Sequence, residues 1–320
     1  MAAPALSIVD SHHHLWMRDG QRYLLDEFAA DIADCGHDIA ATVYVECGAM
    51  LRRTGPSHLR CVGEAQFVAG VAAMSESGLF GPARICAAFV GAADLSLGAE
   101  VDEVLDALHQ ASAGRLRGIR GAVASDPDPA INVGGRAHAP AGLMRDVRYR
   151  AGVARLAARG LVYDAWQYHP QLVELCELAD AFPTLTIVVN HCGGPLGIGP
   201  YRREDNFAPW RTLVAELARR PNVCMKLGGM SRKRCGFDFE DRVSPPSIAE
   251  LVQAWQPYMQ TCIELFGADR CMFESNFPPD QVAGSYGDVW TALLRTPAGC
   301  SDSQLRALAG GTAKRVYRIG

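Results

Sequence analysis

The sequence contains no apolar run approaching the roughly 18 residues that a membrane-spanning helix needs. Its opening, MAAPALSIVD, lacks the basic start and apolar core of a secretory signal. It contains 11 cysteines but no Cys-x-x-Cys pair. An odd count without paired spacing argues against a disulfide framework and predicts reduced thiols in a cytoplasmic protein. Neither sign of charge dominates, since 31 Lys and Arg against 35 Asp and Glu leave a formal charge of −4. That balance favours neither nucleic acid nor an anionic membrane surface as a partner. No Gly-x-Gly-x-x-Gly follows the first apolar run, which weakens a dinucleotide-binding sheet.

What is present is a repeat of strand-length apolar runs separated by helical patterns. The runs are LSIVDSH near residue 6, ATVYVEC from 41, RICAAFVG from 84, RLRGIRGAV from 115, GLVYDAW from 160, LTIVVNH from 185, NVCMKLGG from 222 and RCMFESN from 270. They are continuously apolar rather than alternating, as parallel strands covered on both faces are. Between them, Leu251, Trp255, Met259, Cys262 and Leu265 recur every three or four residues, and Trp210, Val214 and Leu217 do the same. Eight such units with no compositional break predict a (β/α)8 TIM barrel, one domain over residues 1–320, with a doubly wound open sheet as the alternative. Two long connections rich in Gly and Pro, residues 125–143 and 228–246, follow strands and so belong to the C-terminal face, where lids and active sites of barrels sit.

The strand ends carry the chemistry. In DSHHHLW, strict alternation puts Asp10, His12 and His14 on one face, toward the barrel mouth, and His13 in the wall. A His-x-His pair on a strand end converges two imidazoles on one point, good geometry for a metal. His191 ends the sixth strand before Cys192-Gly193-Gly194, a turn that admits close backbone approach to a ligand. Glu46 ends the second strand amid apolar neighbours, where a carboxylate needs a partner. Arg117 and Arg120 offer guanidinium groups to an anionic substrate. Lys226, in the seventh strand, reads either as partner of an interior acid or as an electrophilic group. Around the end of the fifth strand, Asp164 is a candidate substrate contact and His169 a candidate third metal ligand.

These residues, with TVYVE, VGEAQFV, RGIRG, YHPQL, NHCGGP, VCMKLGG, FESNFPPD and the terminal TAKRVYRIG in order, resemble the amidohydrolase 2 branch of the amidohydrolase superfamily. The resemblance spans nearly the whole chain. It implies the same barrel, carbonyl hydrolysis of lactones as in the sugar and pyrone lactonases of that branch, and Trp16 among the substrate contacts. It also implies an acid at the end of the eighth strand, where the family has Gly-Ser-Asp-Trp-Pro. Here the stretch is Glu274-Ser275-Asn276-Phe277-Pro278, and the amide of Asn276 cannot act as a carboxylate base. Glu274, Asp280 or His191 is then left to handle the proton.

The lactonases of this branch include metal-independent members, while a neighbouring decarboxylase branch uses a histidine-rich mononuclear metal site. One divalent ion, zinc first, held by His12, His14 and His169 or His191, is therefore an expectation beside a metal-free mechanism. The expected activity is hydrolysis of a small cyclic ester, anionic or sugar-derived, by activated water. The alternatives are an amide or other ester hydrolase, a decarboxylase of an aromatic acid, and an inactive binding homologue. A small-molecule substrate is the expected partner, and a homodimer is expected only because barrels commonly pair.

Overall fold

The structure, a computed structural model, describes residues 6–18, 20–131 and 138–320. Residues 132–137 of the first long connection and the first five residues of the chain lie outside the described residues. Eight strands follow one another in chain order round a single sheet: β1 (Ile8–His13), β2 (Ile39–Val45), β3 (Arg84–Gly91), β4 (Leu116–Ala122), β5 (Val162–Trp166), β6 (Ile187–Val189), β7 (Val223–Leu227) and β8 (Cys271–Phe273). Every paired neighbour is parallel. The helices between them include α1 (Leu25–Asp34), α2 (Val62–Glu76), α3 (Val101–Ala111), α4 (Val147–Ala158), α5 (Leu172–Ala181), α6 (Arg203–Ala218), α7 (Ile248–Phe266) and α8 (Tyr286–Arg295). The eight strands occupy the eight apolar runs, and the two long connections leave the ends of β4 and β7, on the C-terminal face. A short antiparallel hairpin, Trp16–Arg18 with Gln21–Tyr23, follows β1 and was not apparent from the sequence pattern.

Burial on both faces explains why the runs lack alternation. Small and β-branched side chains, including Val9, Val43, Val45, Ala88, Val90, Val162 and Val188, fill the interior. A larger cluster, with Phe28, Phe89, Trp210 and Trp290, lies between strands and helices. After α9 (Asp302–Arg306), the last helix, α10 (Thr312–Tyr317), contributes Ala313, Val316 and Tyr317 to the interior cluster and closes the end of the barrel opposite the mouth. Helix α7 starts at a capping box in which the Ser247 hydroxyl accepts from the Glu250 amide. It buries Leu251, Trp255, Met259 and Cys262 on one face, as the periodicity predicts. All eleven cysteines are free. Among the described residues, no helix is long and apolar enough to cross a membrane.

The first strand departs from strict alternation in a way that reorganises the site. Asp10 pairs with Thr42 and His13 with Tyr44, so three steps along β1 match two along β2, which is a β-bulge. Val9 faces the interior before the bulge, which turns Asp10 outward; there its carboxylate accepts from the Tyr286 hydroxyl of α8. Beyond the bulge His12 and His14 face inward, while His13 stacks on Phe28 of α1. The expectation that Asp10 shares the mouth with His12 and His14 is therefore corrected. The extra residue flips the strand between them.

Asp10 serves the seam instead. Its oxygens accept from the Ser275 amide at 3.0 Å and the Ser275 hydroxyl at 2.6 Å, tying β1 to the end of β8. An isolated backbone bridge, His13 to Phe277, and the Ser11 hydroxyl, which donates to the Phe273 carbonyl at 2.7 Å, also close the sheet at this seam.

Candidate active site

Four buried side chains from three strand ends converge inside the mouth. The His14 Nδ1 donates to the Val45 carbonyl at 2.7 Å. A neutral imidazole with Nδ1 protonated presents a bare Nε2, and that Nε2 lies 3.2 Å from Nε2 of His12. Two lone pairs at this distance repel unless a proton or a cation lies between them. The His12 Nδ1 sits 2.9 Å from Glu274 Oε2. The other carboxylate oxygen, Oε1, accepts from both the His191 backbone amide and the His191 Nδ1, at 2.9 and 2.7 Å.

Local backbone geometry makes this approach available. His191 has a φ of +54° just past β6, a left-handed conformation that breaks the extended strand and turns the side chain across the mouth. Gly229 lies directly beneath it, where an added Cβ would fall 1.9 Å from the imidazole Nδ1. Any other residue at 229 would displace the ring.

Burial sets the charge states. It holds the His12, His14 and His191 imidazoles well below the usual histidine range, helped by nearby cations, Arg120 for all three and Lys226 for His12 and His191. Burial also pushes the Glu274 carboxyl up to about 8, against the opposing pull of Lys226. The site is thus a set of neutral imidazoles around one buried acid. Ligand atoms of His12, His191 and Glu274 lie within 4.8 Å of one another. Two neutral nitrogens and a carboxylate, with Glu274 Oε2 2.9 Å from His12 Nδ1 but in hydrogen-bond geometry with no described residue, fit a divalent ion such as zinc. His14 Nε2 stands beside this set.

The end of β8 completes the rim. Asn276, at a φ of +52°, donates its backbone amide to the His12 carbonyl and its Nδ2 to Asp280 Oδ1 at 2.8 Å. Asp280 Oδ2 accepts from the Ser231 hydroxyl at 2.9 Å, and burial pushes this acid up to about 6. With Nδ2 committed, Asn276 offers its Oδ1 as an acceptor. Trp16 stacks on His14 with ring centroids 6.0 Å apart and walls the mouth.

Several candidates lie elsewhere or are otherwise engaged. Asp164 points into the barrel below the histidines and accepts from Lys226 Nζ at 3.0 Å, from Asn190 Nδ2 and from the Tyr317 hydroxyl, so its oxygens are occupied within the barrel interior. Lys226 is that acid's partner, and it also reaches His12 Nδ1 at 3.4 Å. Arg117, near the start of β4, lies at the opposite end of the barrel. Its guanidinium donates to the carbonyls of Tyr317 and Gly114, because three residues of strand separate it from Arg120 and the mouth. His169 sits in a turn past β5, where its Nδ1 accepts from the Leu196 amide at 3.3 Å and its ring meets Tyr201 edge-on. The chain runs on through Trp166, Gln167 and Tyr168 before reaching it, which carries the ring away from the cluster. Arg120 does reach the mouth, with Nη1 3.2 Å from the Glu46 carbonyl and Nε 3.9 Å from the Glu46 carboxylate, over the Trp166 ring. Ser231, Ser275, Tyr286 and Tyr317 were not identified from the sequence. Tyr317 and Ser275 carried a signal, their places in the TAKRVYRIG and FESNFPPD stretches.

A protein-family model described as amidohydrolase matches residues 9–319. The chain belongs to the amidohydrolase family. Among relatives of this amidohydrolase is uncharacterized protein y4mH of Sinorhizobium fredii, 30% identical over 98% of this chain and 99% of its own length. An L-fucono-1,5-lactonase of Burkholderia multivorans is 29% identical over 54% of this chain and 57% of that enzyme. Among solved structures, an amidohydrolase from Burkholderia multivorans with bound zinc superposes with a TM-score of 0.76. It is 24% identical, covering 98% of this chain and all of that one, and shares the barrel.

Proposed function

We propose that this amidohydrolase opens a lactone of a small, oxygen-rich acid, with one divalent ion held by His12, His191 and Glu274. The observation that carries the reading is the convergence of neutral imidazoles on the Glu274 carboxyl at the barrel mouth. Such an ion, when bound, polarises a carbonyl and lowers the pKa of water.

The chain's own groups supply the rest. With Nδ1 donating to an ionised Glu274, the one remaining lone pair of His191, on Nε2, would go to the ion, so the proton of the attacking water passes to Asp280, the rim carboxylate that burial pushes up to about 6 and that holds Asn276. Asn276 Oδ1 accepts that water's second hydrogen and orients it, the role left to an amide that cannot be the base. Water oxygen bonds to the carbonyl carbon, the ring C–O bond breaks, and the alkoxide so released takes the proton from Asp280. Arg120 stands beside the three imidazoles as the cation facing the developing carboxylate product.

The relative named L-fucono-1,5-lactonase supports lactones over acyclic amides as the first substrates to try. The test is a panel of sugar and pyrone lactones incubated with purified protein, following acid release by pH indicator alongside elemental analysis. Turnover with a stoichiometric divalent metal is expected. No acid release above background from any lactone overturns the reading.

A further inference from the structure

Beside the histidine cluster, on the mouth between the ends of β2, β3 and β4, lies a cavity of about 460 Å³, within the size range of small-molecule sites. Its lining includes Glu46, His58, Arg60, Glu64 and Arg120. The catalytic histidines do not line it. Arg120 connects the two spaces, because it lines the cavity while its charge bears on His12, His14, His191 and Glu274.

Glu64 is the unusual member of the wall. It comes from the first turn of α2 and is wholly buried. Its Oε1 accepts three donors: the Tyr44 hydroxyl at 2.9 Å, the Cys47 amide at 2.8 Å and the Ala49 amide at 3.2 Å. Those bonds pin the loop after β2, which carries Glu46. Its Oε2 is equally buried and has no hydrogen-bond partner among the described residues. Leaving a buried carboxylate oxygen unmet costs free energy, so its retention beside a cavity needs a reason.

We propose that Glu64 is a specificity-determining residue, its Oε2 accepting a hydroxyl of the substrate ring in this cavity while the scissile carbonyl lies past Arg120 among the histidines. This deepens the lactone reading and rests on it for the identity of the reacting group. It selects a hydroxyl-bearing, uncharged ring over a ring bearing carboxylates. The wall presents three acids, Glu46, Glu64 and Asp94, against the two guanidinium groups of Arg60 and Arg120, and Arg120 is already faced by Glu46, which disfavours a substrate anion. A site built to accept from a hydroxyl rejects an analogue lacking it strongly, because the acceptor is then left buried and unmet. Burial and the neighbouring Glu46 push Glu64 up to about 7, so near neutrality it is poised between accepting and donating toward such a hydroxyl.

The test uses binding, so that it does not depend on turnover. A polyhydroxylated six-membered lactam and its parent lacking ring hydroxyls are titrated calorimetrically into wild type, Glu64→Gln and Leu51→Trp. The Glu64→Gln variant keeps a carbonyl oxygen for the three donors and replaces Oε2 by an amino group. Leu51 is a cavity-lining side chain that is 37% exposed, and tryptophan there narrows the cavity without disturbing the core. Wild type should bind the hydroxylated lactam at least tenfold tighter than the parent, with Glu64→Gln and Leu51→Trp each erasing most of that preference. Equal binding of the two lactams by wild type, or an unchanged preference in Glu64→Gln, overturns the proposal. Should Glu64→Gln fail to fold, an unchanged preference in Leu51→Trp overturns it alone. Turnover of the lactone panel by wild type reports separately on the reaction assigned above.

Discussion

His12 and His13 are adjacent, equally buried and both held neutral, yet alternation along β1 puts them on opposite faces with unrelated surroundings. His12 faces a carboxylate, an ammonium and another imidazole, all within 3.4 Å. His13 faces an aromatic ring and the Thr42 hydroxyl at 2.9 Å, and its Nδ1 has no hydrogen-bond partner among the described residues. Desolvation lowers both, His13 to about 3, so a shifted titration does not separate a reactive imidazole from an inert one. The partners do. The inner face of the strand collects groups that exchange or share protons, while the outer face collects groups that pack.

Substitutions on the two faces should therefore fail differently. The largest effect is expected inside. Lys226→Met leaves Asp164 buried with only Asn190 and Tyr317 as donors, and should cost about 3–5 kcal/mol of stability by chemical denaturation. A loss below 1 kcal/mol would show that the pair does not hold the interior together. Next is Asn276→Asp, which restores the family's acid but sets a carboxylate against Asp280, now 2.8 Å from the Asn276 amide. A roughly hundredfold fall in kcat/KM is expected, a transition-state cost of about 2.7 kcal/mol. A gain in activity would mean that the wild-type site has lost its catalytic role.

On the outer face the readout is stability against pH. The folded-state pKa of His13 lies below its unfolded value of 6.5, so its contribution is fully present above pH 6.5 and is lost as pH falls toward 3. His13→Phe keeps the stack on Phe28 and loses the Thr42 bond, about 1 kcal/mol near neutrality. Below pH 6.5 its deficit should shrink by about 1.4 kcal/mol per pH unit and then reverse. Parallel stability curves for the two proteins would contradict the assignment. The smallest effect belongs to Arg117→Ala, which removes donors to the Tyr317 and Gly114 carbonyls. Stability should drop by about 1 kcal/mol with kcat/KM within twofold. A tenfold rise in KM would place that guanidinium at the substrate after all.

The barrel was legible because parallel strands buried on both faces leave continuous apolar runs, and all eight were found in place. His12, His14, His191 and Glu274 were legible because each ends a strand on the face where barrel chemistry occurs. Asp10 was misplaced because a bulge leaves no mark in the sequence, and parity beyond it inverts. Arg117 and Arg120 looked equivalent in RLRGIRG, yet three residues of strand, roughly 10 Å, separate the two ends of the barrel. Asp164 and Lys226 belong to a mid-barrel layer that includes Tyr317, 153 residues later in the chain than Asp164. No local pattern announces such a partner.

The most direct test is kcat/KM for one lactone measured side by side on wild type, His12→Gln and His13→Gln. The inner-face assignment predicts a fall of about 100-fold or more for His12→Gln, because losing a ligand of the ion costs at least what losing a ligand's own hydrogen-bond partner does, and a value within threefold of wild type for His13→Gln. Equal losses in the two variants, or full activity in His12→Gln, would contradict it.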